Sequence, residues 1–115
     1  MSAPEPLFDA PREVPLYERQ AAKIRRGEHP LSGVGERPAL VLLAPAGTGT
    51  CGDCALKLRP HYHRRAWPKC AAGALREPDG VGYREIWPRA AHNASSDVSS
   101  GWPACVDYQP REDTP

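Results

Sequence analysis

Apolar positions along this 115-residue chain come in short clusters separated by turn formers, and only a few clusters carry a readable period. The first is 15–27, PLYERQAAKIRRG. Its pattern predicts a short helix, with Pro15 suited to the first helical position and Gly27 to the position just past the end. Tyr17, Ala21 and Ile24 fall on one face with Leu16 beside them, and the basic residues gather toward the C-terminus, where the helix dipole favours them. The densest apolar run is ALVLLA, 39–44, which predicts one buried strand. YREIW, 83–87, alternates as a strand does, with Tyr83, Glu85 and Trp87 on one side.

The remainder reads as connection. Residues 1–14 form a proline-rich flexible arm, and 28–38 a linker of turn formers. Residues 71–82 read as a loop turning at Pro78-Asp79-Gly80. Ser95 or Ser96 suits the cap of a short helical turn leading to Cys105, and 108–115 is a polar, flexible tail. The expected organisation is thus an arm (1–14), a helix and linker (15–38), a main domain (39–107) and a tail (108–115).

Composition changes this picture by exposing a deficit. Leu, Ile, Val and Phe make up 18 of 115 residues, while there are 14 prolines and 10 glycines. A chain so poor in aliphatics and so often interrupted needs a staple beyond hydrophobic burial. Net charge is only +1, so strong self-repulsion is not the reason for the thin core. No segment approaches the apolar length of a membrane span, and the acidic, proline-rich start lacks the basic and apolar regions of a secretory signal. The expected location is the cytoplasm, where thiols stay reduced and a cysteine set favours metal binding or catalysis over disulfides.

The staple points to Cys51, Cys54, Cys70 and Cys105. Cys51-Gly52-Asp53-Cys54 has the spacing of a knuckle that turns two thiolates toward one tetrahedral ion, with Gly52 giving the turn its freedom. Cys70 and Cys105 each end a Trp-Pro-x-Cys stretch (67–70 and 102–105), so two similar local geometries could meet the same Zn²⁺. His61 and His63 are alternate ligands for one position, while His29 and His92 carry no supporting pattern. Two disulfides remain an alternative. A thioredoxin-like redox site is disfavoured, because Leu58-Arg59-Pro60 leaves little room for the long helix it needs after Cys54. Gly47-Thr48-Gly49 lacks the Lys-Ser or Lys-Thr of a phosphate loop.

Charge adds a second feature. No acidic residue lies between Asp53 and Glu77, whereas Lys57, Arg59, Arg64, Arg65, Lys69 and Arg76 do. Tyr62 and Trp67 interleave with them, a mixture suited to phosphates and bases. The candidate nucleic-acid or partner face is therefore Lys57, Arg59, Tyr62, Arg64, Arg65, Trp67 and Lys69. The plainer alternative is a solvated strand pair with its aromatics packed over the metal.

The TCGDC…YH…KC pattern and the terminal SDVSSGWPAC resemble small four-cysteine zinc-binding proteins encoded by actinobacterial phages and prophages. The resemblance covers residues 50–107 and implies a zinc-stabilised domain in a bacterial cytosol, without bringing an activity. The expected fold is α+β: a small zinc domain with a C-x2-C knuckle, short antiparallel strands, one N-terminal helix and flexible ends. The expected function is a non-enzymatic adaptor or regulator contacting nucleic acid, or a nucleic-acid-handling host or phage protein. The alternatives are a small HNH-like nuclease drawing on His61, His63, His92 and Asn93, or a structural part of a larger assembly. A small-molecule substrate is not expected.

Overall fold

The computed structural model describes residues 14–59 and 67–111. The expected arm, apart from Val14, and the end of the tail lie outside those residues, as do His61, Tyr62, His63, Arg64 and Arg65. The described chain is α+β, with one α-helix and two small antiparallel sheets.

Helix α1 spans Leu16–Arg25. Pro15 fixes its entry, and the Pro15 carbonyl accepts the Glu18 and Arg19 amides. Gly27 closes it in the left-handed region at φ +82°. There the Gly27 and Glu28 amides donate back to the Ile24 and Lys23 carbonyls, satisfying the helix end. The expected apolar stripe is weaker than its pattern: Tyr17 is 69% exposed, and no residue of the helix is fully buried. Ile24 instead packs against a core of Leu31, Cys51 and Trp102, joined by Val34, Cys70 and Val98.

The expected linker holds the longest run of buried residues among those described. His29, Pro30, Leu31 and Ser32 are all buried, Leu31 completely. Turn formers let the chain fold tightly under α1, where the Lys23 ammonium donates to the Pro30 and Ser32 carbonyls. The run 39–44 departs from expectation in the opposite sense. Val41 is buried, but Leu40 and Leu42 are 69% and 48% exposed. Among the described residues this stretch pairs through single bridges, Glu28 with Leu42 and Leu43 with Cys105, and no second layer covers its outer face.

Strands β1 (Lys57–Leu58) and β2 (Lys69–Cys70) pair antiparallel, Lys57 opposite Cys70 and Leu58 opposite Lys69. Strands β3 (Leu75–Pro78) and β4 (Tyr83–Ile86) form a hairpin. β4 matches the expected strand, whereas β3 occupies part of the expected loop. Arg76 lies opposite Glu85 and Glu77 opposite Arg84, and the Arg76 guanidinium lies 5.2 Å from the Tyr83 ring centre. The ion pairs of the hairpin run instead to the preceding stretch, Glu77 to Arg37 and Arg84 to Glu36. The Asp79 carboxylate accepts the Val81 and Gly82 amides to shape the turn.

A 3₁₀ turn at Ala94–Ser96 follows, capped by the Asn93 side chain, which accepts the Ser95 amide, rather than by a serine. The expected tail is docked as far as Arg111. Ala55 donates to the Gln109 carbonyl, Arg111 donates to that of Asp53, and the Arg111 guanidinium reaches the Cys54 and Lys57 carbonyls. Among the described residues no helix is long and apolar enough to cross a membrane.

Lys69 is turned inward. Its side chain is 5% exposed and its ammonium donates to the Asn93 carbonyl, the Ser96 hydroxyl and the Asp97 carboxylate at 3.0, 2.7 and 2.6 Å. Removing one partner of such a buried network leaves the others unsatisfied. Lys69→Met is therefore expected to lower unfolding free energy by about 3 kcal/mol in chemical denaturation. Arg37→Ala, which breaks an exposed pair with Glu77, should leave the midpoint unchanged within error.

Candidate metal centre

Three sequence-distant segments bring four cysteines to one small cavity. Cys51 and Cys54 bracket a 3₁₀ turn, Cys51–Asp53 with Cys54 closing it, and both line the cavity. Cys70 ends β2, and Cys105 lies on the returning chain bridged to Leu43. All four line the cavity together with His29, Leu56, Lys57, Val98, Ala104 and Tyr108. Every one of the four is a free thiol.

Gly52 serves the turn in a way its sequence position did not foretell. Its φ is not in the left-handed region; what excludes a side chain is the close approach of Ser100, whose carbonyl would lie 2.9 Å from an added Cβ. The Gly52 amide donates to that same carbonyl, which holds the Cys51–Cys54 turn against the 99–103 stretch.

Cys70 and Cys105 share a local geometry, as their matching Trp-Pro-x-Cys surroundings suggested. Each sulfur accepts the backbone amide two residues on, Ala72 for Cys70 and Asp107 for Cys105, both at 3.4 Å. The tryptophans diverge: Trp102 is buried beside Cys51, while Trp67 is 69% exposed.

Two further groups point at the sulfurs. His29, 2% exposed, places Nε2 3.0 Å from the Cys51 sulfur. Arg89 donates from Nη1 to the Cys105 sulfur at 3.3 Å and pairs through Nη2 with Asp107. Neither was foreseen. His29 follows a helix-closing glycine at no ligand-like spacing from any cysteine, and only the burial of 29–32 brings it in. His61 and His63 lie outside the described residues, so their role as alternate ligands is untouched by this geometry. Of the residues of the HNH alternative, Asn93 caps the 3₁₀ turn through its side chain.

Among the described residues, no three His, Cys, Asp or Glu side chains stand as a ready-made ligand set. The donor set nonetheless fits a soft or borderline cation: four sulfurs, cavity walls that include Leu56, Val98 and Ala104, and N–H donors on three of the sulfurs. No family model, curated protein or solved structure matches this chain. The residues themselves therefore carry the functional argument.

Of the candidate basic face, Arg59 is exposed, Lys57 is half-buried and donates to the Ser100 hydroxyl at 2.9 Å, and Lys69 is spoken for in the interior. The surface part of that face thus omits Lys69, whose position opposite Leu58 points it into the Asp97–Ser96 pocket.

Protonation in the metal-free chain follows from burial. Burial, with the Arg89 and Lys23 charges, lowers the His29 pKa from 6.5 to about 4. Burial, followed by the charges of Cys105, Cys70 and Cys54, raises that of Cys51 from 9.0 to about 12. Cys70 is raised too, chiefly by burial. A neutral His29 stabilises the fold above pH 6.5, and that contribution is lost as pH falls toward 4. A protonated Cys51 stabilises it below pH 9, and that contribution is lost as pH rises toward 12.

Proposed function

We propose that this chain is a non-enzymatic, zinc-stabilised binding module of a reducing, cytoplasmic compartment, with Cys51, Cys54, Cys70 and Cys105 as the ligands of one Zn²⁺. The observation that carries the reading is the convergence of all four cysteines on one cavity from segments far apart in sequence. A thin core gives the ion a purpose, since binding at a structural zinc site is itself folding free energy, roughly 10–16 kcal/mol apparent in small fingers. The amides of Ala72 and Asp107, donated to the sulfurs two residues before them, suit thiolates better than thiols. The C-x2-C turn then acts as one half of the site, and the two Trp-Pro-x-Cys stretches as the other.

The same arrangement gives the basic segment a rigid base. Cys54 lies just before β1 and Cys70 ends β2, so the chain between Leu58 and Lys69 leaves and rejoins a ladder pinned at the cavity. Exposed Arg59 and Trp67 stand at its two ends, and Tyr62, Arg64 and Arg65 lie between them in sequence. Exposure of Trp67 favours a binding role over packing against the metal. The chemistry suits single-stranded nucleic acid, through phosphate contacts and base stacking.

Native mass spectrometry and plasma emission on the purified chain should find one zinc per molecule, released by chelator together with loss of the fold. Cys105→Ser should lose both. A stable, metal-free fold that survives with its thiols blocked would rule the reading out. For the surface, the Arg64→Ala, Arg65→Ala pair should keep its zinc, weaken binding to single-stranded DNA or RNA, and reduce the salt slope by about 2. Undetectable binding of either nucleic acid at low salt defeats the nucleic-acid part alone.

A further inference from the structure

Five potential donors face a cavity that, if it holds zinc, needs four. Resting on the zinc reading above, we infer that His29 is not a ligand but a fixed hydrogen-bond donor to the Cys51 sulfur, a positioning residue that leaves all four coordination positions to cysteine.

The inference comes from which nitrogen meets which partner. Nδ1 of His29 lies 3.1 Å from the Leu31 backbone amide. An amide N–H can only donate, so Nδ1 must carry a lone pair. A neutral imidazole with a bare Nδ1 has its proton on Nε2. Nε2 is the atom 3.0 Å from the Cys51 sulfur, so its N–H points at sulfur. A histidine that ligates a metal is arranged the other way: one nitrogen gives its lone pair to the ion, and the other donates its proton to a carbonyl or carboxylate. Here the second nitrogen faces a donor, and ligation through Nε2 would set two protons against each other at Nδ1 and the Leu31 amide.

The ring has little freedom to change places. It is 2% exposed and meets the Trp102 ring edge-on, at 5.5 Å and 89°. The Leu31 amide that holds Nδ1 belongs to the most deeply buried residue of the core. The Cys51 thiol, for its part, is directed at the Pro103 carbonyl at 3.9 Å, which leaves a sulfur lone pair for the imidazole. Replacing that thiol proton with a metal ion keeps the His29 bond and strengthens it, because thiolate is the better acceptor.

The decisive measurement is NMR of the full chain loaded with an NMR-active isotope of cadmium, with nitrogen-labelled histidine. A slowly exchanging His29 Hε2 proton, scalar-coupled to cadmium through the Cys51 sulfur, is the expected result. Direct coupling between cadmium and Nε2, with Hε2 absent, makes His29 a ligand and overturns the inference. Chelator competition adds an energetic readout: His29→Phe should weaken zinc binding 10–100-fold, the range typical of outer-shell partners. His29→Gln, which can still donate an N–H, should recover most of that loss. Cobalt-loaded His29→Gln should retain the wild-type visible spectrum, and a shift marking a changed ligand set would again overturn the proposal. A wild-type chain that takes up no zinc or cadmium defeats the metal reading itself, and is told apart from a failure of this inference by metal content alone.

Discussion

Bringing the Cys51–Cys54 turn, the end of β2 and the returning 103–105 stretch to one point is the constraint on which the other contacts depend. The connections that achieve it are individually slight. Thr50 meets Pro103, Leu43 meets Cys105 and Cys54 meets Pro110, each through an isolated bridge, and the two sheets are two-stranded ladders of two and four residues. Ladders of that size do not persist alone in water. They are held because Leu31, Cys51 and Trp102 form a common core into which Ile24, Val34, Cys70 and Val98 pack. Two cysteines thus belong to the hydrophobic core and the sulfur-lined cavity at once, and disturbing either disturbs both.

Scarcity of aliphatics is met partly by turning polar groups inward with their partners. Lys69, Ser96 and Asp97 form one such network, and His29, Cys51 and the Leu31 amide another. Among the described residues every buried side-chain nitrogen and oxygen has a partner. Networks of this kind contribute little net stability over an apolar core, yet they are costly to leave half-made, so they specify a single arrangement. The 28–32 stretch shows the consequence most clearly: a passage with a single aliphatic residue is buried because its backbone and its histidine are both satisfied there.

What the sequence disclosed was governed by local chemistry. Pro15 and Gly27 marked the ends of α1 because a fixed φ and a left-handed φ are properties of single residues. The alternation in 83–87 marked β4, and the repeated Trp-Pro-x-Cys marked two cysteines whose sulfurs accept amides at the same offset. What stayed hidden depended on distant partners. β3 needs the β4 ladder opposite it and Arg37 from a distant stretch, and Leu40 and Leu42 stay exposed with no covering layer among the described residues. Lys69 reads as part of a basic run until Asp97 and Ser96 are seen beside it. His29 could be found only after the chain had folded back under α1, since nothing in its spacing relates it to Cys51.

Charge then links the cavity to the surface above it. Four thiolates around a divalent cation leave two surplus negative charges in a largely buried place, and such charge persists only where donors face it. The His29 N–H, the Ala72 and Asp107 amides and the Arg89 guanidinium all do, and Lys57 lines the same cavity. On the proposed reading, the positive charge near β1 therefore has two duties, compensation below and attraction above. Lys57 sits on the boundary, its backbone paired to Cys70 and its ammonium held by Ser100. Arg59 and Trp67 lie just beyond that ladder, so their separation is set by the same pairing that sets the position of Cys70. Metal occupancy and the shape of the binding face would then be one equilibrium rather than two.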